Sequence, residues 1–272
     1  MGFTEKSLSA VIEKVRFNSP LVHNITNYVT VNDCANVLLA VGASPIMADD
    51  IGEAAEITAI SSALVLNIGT LNRRTIESMI ASGKKANEIG VPVVLDPVGA
   101  GASSLRNRTV LELLERMRVQ VIRGNLSEIS FLAGLHYATK GVDAAESDRE
   151  NNAVTVAKSV AAQYGCTAAV TGAVDTISDG NRTLRIHNGH SMLSRVTGTG
   201  CMTSALTGAC AAVTRDFLAA AAAAVAAMGI AGELAYESAG NIGTGSFHIA
   251  VIDALSRLTQ TLIEKRAMLD EA

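Results

Sequence analysis

Short apolar runs rich in Val, Ile and Leu alternate with longer stretches in which apolar residues recur every three or four positions. The runs Ser44–Ala48, Ala63–Ile68, Val91–Leu95, Val119–Ile122 and Thr167–Val170 read as strands, because they are short, β-branched and bounded by turn residues. Between them, Asn32–Ala40, Ile51–Ile60, Arg73–Glu88, Thr109–Met117 and Val154–Gln163 carry the helical period. Strand and helix in series predict right-handed crossovers and a mainly parallel sheet with helices on both faces. The rhythm then changes. Asp175–Ser178 and Thr183–His187 flank Asp179-Gly180-Asn181, a turn sequence that predicts a hairpin. Beyond Gly198 the chain reads as three helical segments rich in Ala and Gly. Lys140–Asn152 is polar and acidic, a surface loop leading into the next helix. No linker or internal repeat divides the chain, so residues 1–272 are expected to form a single domain.

Composition narrows the function classes. The chain has 272 residues, 49% of them hydrophobic, and a net charge of −4 with Lys and Arg scattered. Nucleic-acid binding needs a basic footprint that this sequence lacks. Phe217–Ala235 is almost free of charge, but its apolarity is mainly alanine with two glycines, which suits a close-packed buried helix better than a membrane span. The N-terminal segment places charges inside its apolar period, so it reads as an amphipathic helix and not as a signal peptide. Cys34, Cys166, Cys201 and Cys210 show no paired or zinc-like spacing and read as reduced thiols of a cytoplasmic protein.

In open parallel sheets, ligands bind beyond the carboxyl ends of the strands. The residues there are Asn67-Ile68-Gly69, Asp96-Pro97-Val98-Gly99, Arg123-Gly124-Asn125 and Thr171-Gly172. Together they offer a carboxylate, a guanidinium, a hydroxyl and backbone room, which suits phosphate and metal handling. Each has a plainer reading. Asp96-Pro97 reads equally as a strand-ending turn. Asn125 and Glu128 have capping-box spacing, a reading that stands level with water-mediated service to Mg²⁺ by Glu128. Val196–Cys201 (VTGTGC) weighs more. Two glycines beside a helix start let the backbone approach an anion, and the open N–H groups of the helix would stabilise its charge. It is neither a dinucleotide fingerprint nor a Walker A loop. Cys201 at that helix start is placed for a thiolate by the helix dipole, or else is a small buried residue. His187 and His190 lack a carboxylate at ligand spacing, so a metal role is not expected. His23, His136 and His248 are read as satisfying local hydrogen bonds, and Met47 as core packing or pocket lining.

Seven segments together resemble the hydroxyethylthiazole kinases of thiamine salvage. They are Leu21–Asn36 (LVHNITNYVTVNDCAN), Gly42–Asp49 (GASPIMAD), Leu66–Leu71 (LNIGTL), Pro92–Ala100 (PVVLDPVGA), Val121–Ile129 (VIRGNLSEI), Thr171–Asp175 (TGAVD) and VTGTGC. The resemblance implies a ribokinase-like three-layer α/β/α fold, with Mg²⁺-ATP as phosphoryl donor. It implies transfer to the primary alcohol of 4-methyl-5-(2-hydroxyethyl)thiazole, and a homotrimer with active sites between subunits. By position, Met47, Gly198 and Asn27 correspond to substrate contacts, Arg123 and Thr171 to ATP contacts, and Asp96 and Glu128 to the acidic residues near Mg²⁺. Gly198, Gly200 and Cys201 form the catalytic loop. The wider superfamily carries Asp at the position of Cys201, so the identity of a general base stays open. Other readings are a kinase of another small vitamin-precursor alcohol, of pyrimidine or pyridoxal type, a lyase on the same fold, and a degenerate ligand-binding sensor.

Overall fold

A computed structural model describes residues 3–135 and 146–272. The first half of the chain builds the parallel part of the sheet. Helix α1 (Glu5–Asn18) precedes β1 (Leu21–Ile25), followed by α2 (Val31–Val41), β2 (Ser44–Ile46), α3 (Ala54–Ile60), β3 (Ala63–Asn67), α4 (Arg73–Ile89), β4 (Val93–Asp96), α5 (Ser104–Arg116), β5 (Val121–Asn125) and α6 (Leu126–Leu132). Then come α7 (Glu146–Tyr164), β6 (Thr167–Thr171), β7 (Asp175–Ser178) and β8 (Thr183–Ile186). Helices α8 (Thr199–Val213), α9 (Phe217–Ala239), α10 (Thr244–Ser256) and α11 (Gln260–Arg266) and strand β9 (Leu269–Glu271) complete the chain.

The nine strands form one sheet in the order β2-β1-β3-β4-β5-β6-β7-β8-β9. The pairings from β2 to β6 are parallel and those from β6 to β9 antiparallel. Side chains alternate across the pleat. Val22, Val65, Val94 and Val121 therefore join the core shared with α1, α2, α8, α9 and α10, while Leu64, Leu66, Leu95 and Ile122 join the core shared with α4, α5 and α7. That is a three-layer α/β/α sandwich. Pro45 lies in β2, at the sheet edge, where its missing N–H leaves no ladder bond unmade.

Helix α9 is long and apolar enough to cross a membrane by composition, yet 83% of its apolar window is buried inside the fold. Its small residues serve close packing. A Cβ at Gly229 would come within 2.6 Å of the Asn188 carbonyl oxygen.

The expected strands are present, with ends shifted by up to three residues, the largest shift being at β5, which runs on through Arg123 to Asn125. Two further strands, β1 and β9, carry no strong apolar run. Residues 146–152, expected as loop, are instead the opening of α7, while residues 140–145 and His136 lie outside the described residues. The helices after Gly198 number four, not three.

Candidate active site

Register brings the polar strand ends together. Asn67 is paired with Asp96 at the ends of β3 and β4, and Asn125 with Thr171 at the ends of β5 and β6. Helix α8 descends onto the same rim. Ser204 Oγ donates to Asp96 Oδ2 at 2.8 Å, and Asn67 Nδ2 donates to the same oxygen at 2.8 Å. Arg123 Nη1 stands 3.9 Å from Asp96 Oδ2, and its Nη2 donates to Thr171 Oγ1 at 2.6 Å. A Cβ at Gly200 would sit 2.7 Å from Arg123 Nη1, so the helix start lies directly against the guanidinium. No side chain caps α8, which leaves its first N–H groups available at that point.

Two cavities meet there. One, of about 530 Å³, is lined by Arg123, Thr171, Asp175, Gly200, His190 and Met228 among others. The second, of about 380 Å³, is lined by Asn27, Thr30, Asp96, Glu128, Gly198 and Cys201 among others. Arg123 and Gly200 line both. A group passing from one chamber to the other would pass a guanidinium and a helix N-terminus, both suited to negative charge.

Asp96 is buried, and burial pushes its carboxyl up to about 6, opposed chiefly by the charge of Arg123. Its Oδ2 accepts two hydrogen bonds, whereas its Oδ1 has no partner among the described residues. An unpartnered buried carboxylate oxygen is a place for a hard cation. Glu128 forms the capping box with Asn125, its Oε2 accepting from Asn125 N at 2.9 Å and its Oε1 from Gly99 N at 2.8 Å. Each of its oxygens keeps a lone pair, so capping does not exhaust it. Among the described residues no group of three His, Cys, Asp or Glu could hold a metal alone. Mg²⁺ does not need one, since it is held by one or two carboxylates plus phosphate and water. The residues present fit that ion.

Burial decides between the two readings of Cys201. Burial, with the nearby Asp96 charge, pushes its thiol up, against hydrogen bonds from Thr30, Asn27 and Asn67 that favour the thiolate. Desolvation therefore outweighs the helix start, and the resting group is a neutral thiol.

The hydroxyethylthiazole kinase family model matches residues 12–261. The hydroxyethylthiazole kinase of Ruminiclostridium cellulolyticum is 61% identical over 98% of both chains. That of Clostridium beijerinckii is 60% identical over 97% of both. The chain belongs to the hydroxyethylthiazole kinase family. The solved structure of the Pyrococcus horikoshii hydroxyethylthiazole kinase superposes with a TM-score of 0.90 at 45% identity, covering 98% of this chain and 99% of that one. A Bacillus subtilis pyridoxal kinase in complex with ADP shares the fold alone, with a TM-score of 0.56 at 18% identity over 78% of this chain and 90% of that one. These likenesses make the fold of this hydroxyethylthiazole kinase family member ribokinase-like.

Within the kinase, eight of the nine residues singled out in the sequence line the two joined cavities, and Met47 does not. Met47 follows the edge strand β2, half-buried against the core on the α8 side. The histidines behave as local partners. His23 is buried between Thr58 Oγ1 at 2.9 Å and the Ala48 carbonyl at 2.7 Å. His187 pairs with Asp270, His248 lies 3.1 Å from Asp33, and His190 stacks on Tyr236.

Sequence reasoning missed four residues of the kinase site. Ser204 had a signal, since it lies three positions after Cys201 on the same helical face. Thr30 packs its methyl group against Gly198, and Asp175 accepts from Gly172 N at 2.8 Å. Burial pushes Asp175 up to about 7, against that bond and the charge of Arg123. Arg106 had no signal. From α5 its Nη1 donates to the carbonyls of Ile68 (2.7 Å) and Val98 (2.6 Å), and its Nη2 to that of Gly69 (2.6 Å), tying the loops after β3 and β4 together. Arg106→Met is expected to cost about 2 kcal/mol, since three carbonyls lose a charged donor. At this chain length that lowers the unfolding midpoint by roughly 5 °C. Calorimetry checks it, and a shift below a degree would show that water replaces the guanidinium without cost.

Proposed function

We propose that this chain transfers the γ-phosphoryl group of ATP to the primary hydroxyl of 4-methyl-5-(2-hydroxyethyl)thiazole, giving the monophosphate used in thiamine salvage. The observation that carries the reading is the junction of the two cavities at Arg123 and Gly200. Arg123 and Thr171 face the larger cavity as ATP contacts. Asn27 and Gly198 face the smaller one as substrate contacts, with Met47 as the third. Asp96 and Glu128 are the side chains that would hold Mg²⁺, which when bound neutralises phosphate charge. Phosphoryl transfer depends mainly on positioning and charge stabilisation. The open N–H groups at Gly198, Gly200 and Cys201 would receive charge from the transferring group, and Arg123 would hold the donor in line.

Cys201 then orients the alcohol, since a neutral thiol is a poor base. Cys201→Ser is expected to keep measurable turnover, because a hydroxyl also accepts from the two amides that surround the sulfur. Complete loss of activity in a folded variant would assign the proton to Cys201.

A homotrimer with sites between subunits belongs to this reading, as does a cytoplasmic location, where ATP is present and free cysteines stay reduced. Two features support a shared site. Tyr28 and Val29 are exposed beside the smaller cavity, and Met47 stands outside it. A neighbouring copy would cover the first pair and supply the missing apolar wall. Light scattering tests this, and a stable active monomer would overturn it. The function is tested by ADP release with the thiazole alcohol against a panel of pyrimidine and pyridoxal alcohols. ADP release with the thiazole alcohol alone is expected. Preference for another alcohol, or ligand binding without ADP release, would overturn it.

A further inference from the structure

Asn67 is 2% exposed and spends its whole amide on the site. Its Oδ1 accepts from the Gly69 backbone N–H at 2.9 Å, which can only donate, so the orientation of the amide is fixed by the backbone. Its Nδ2 therefore faces Asp96 Oδ2 at 2.8 Å and Cys201 Sγ at 3.3 Å, one hydrogen for each. Asn27 is fixed in the same manner. Its Oδ1 accepts from the backbone N–H groups of Val29 and Thr30, both at 3.1 Å. Its Nδ2 donates to Asn67 Oδ1 at 3.0 Å and to Cys201 Sγ at 3.2 Å.

Every hydrogen of the two amides is thus committed, and the chain of donors runs one way, from the loop after β1 to the Asp96 carboxylate. Two consequences follow at the reacting end. The Asp96 carboxylate is pinned at Oδ2 by Asn67 and Ser204, so that Oδ1 is the oxygen left open. The Cys201 sulfur receives two N–H donors and is held as an acceptor, which directs its single S–H hydrogen to the remaining tetrahedral position.

We propose that Asn67 is a positioning residue for phosphoryl transfer: one amide fixes both the open face of Asp96 and the accepting geometry of the Cys201 sulfur. The inference rests on the kinase reading for its purpose, but its test does not. Asn67 lines neither cavity, so it acts through its two partners and not by touching substrate.

The test is alkylation of Cys201 by iodoacetamide in protein free of nucleotide and metal, at one fixed neutral pH. Labelling of Cys201→Ser serves as the blank for the three buried cysteines. Asn67→Leu matches the branching of the amide without its donors or acceptor. The sulfur loses the Asn67 donor, one of three partners with Thr30 and Asn27 that favour its anion, so alkylation is expected to slow about tenfold, the worth of one hydrogen bond to a charged group. In turnover, kcat should fall with the KM for ATP within about twofold, and Asn67→Gln should restore part of kcat.

An unchanged or faster alkylation rate in a folded Asn67→Leu protein would overturn the proposal. So would a loss of kcat that tracks only a lowered unfolding midpoint. Should the leucine variant fail to fold, Asn67→Ser keeps a small polar group at the position, removes the bridging amide, and carries the same two readings. If the thiazole alcohol proves not to be the substrate, the alkylation result still decides the role of Asn67.

Discussion

Asp96→Asn is expected to lower kcat by two to three orders of magnitude while leaving the protein folded, the size of effect seen when one preorganised charge-stabilising group is removed. The two side chains have the same shape, so the loss is electrostatic. Whichever way the new amide turns, it fails. With its NH₂ at the Oδ2 position, two donors, Asn67 Nδ2 and Ser204 Oγ, would face a third donor. With its NH₂ at the Oδ1 position, a buried donor would occupy the one open carboxylate face. The Mg²⁺ concentration for half-maximal rate should rise steeply. Unchanged kinetics would remove Asp96 from the site.

The same residue sets a pH signature. Burial raises the Asp96 carboxyl to about 6 from an ordinary value near 3.8. Between those values the unfolded chain has already given up the proton that the folded chain retains. The fold therefore loses stability as pH rises from about 4 to about 6, by an amount on the order of 3 kcal/mol. Asp96→Asn has no such proton to lose, so its stability curve through that window should be flatter than that of the parent. Activity runs the other way. The parent should lose turnover as pH falls through about 6, because a protonated carboxyl no longer attracts the cation, and saturating Mg²⁺ should move that limb to lower pH. Parallel denaturant titrations and rate profiles separate the two. A parent whose stability is level across the window would mean that Asp96 is better solvated than its burial implies.

Much of this site was legible because strand ends are legible. The polar residues that close β3, β4, β5 and β6 follow immediately on apolar runs, and parallel pairing places them side by side. What could not be read is why two strands escaped notice and why Cys201 is surrounded as it is. Leu21–Ile25 contains His23 and Asn24, which look polar in sequence but are buried. His23 is held by Thr58 and Ala48, and Asn24 Nδ2 donates to the Val22 carbonyl. Strand β9 exists only because β8 offers it an edge at the far end of the chain. The donors to the Cys201 sulfur come from residues 174 and 134 positions away. Local pattern left two readings there, a thiolate from the helix start or a small buried residue. Burial, which only the assembled fold defines, decides for the second.

Gly198→Ala is expected to remove most of the activity for a steric reason with two parts. Gly198 caps α8 with φ of 89°, in the left-handed region where a Cβ costs about 1–2 kcal/mol. Its added Cβ would also lie 2.7 Å from Thr30 Cγ2. Thr30 cannot easily yield, because its hydroxyl and its backbone N–H are both bonded to Asn27 Oδ1. Relief must come from the helix start, which carries Gly200 and Cys201 with it. A displacement of about 1 Å at a reacting centre costs on the order of 100-fold in rate. Gly200→Ala provides the contrast. Gly200 has no positive φ, and the contact it would create is with Arg123 Nη1, the free end of a flexible side chain. Displacing that guanidinium breaks its 2.6 Å bond to Thr171 and should appear mainly as a higher KM for ATP. The two alanines, two residues apart on one loop, should therefore divide between kcat and KM. If both raised only KM, the loop would be a nucleotide clamp and its N–H groups would not be stabilising the transferring phosphoryl group.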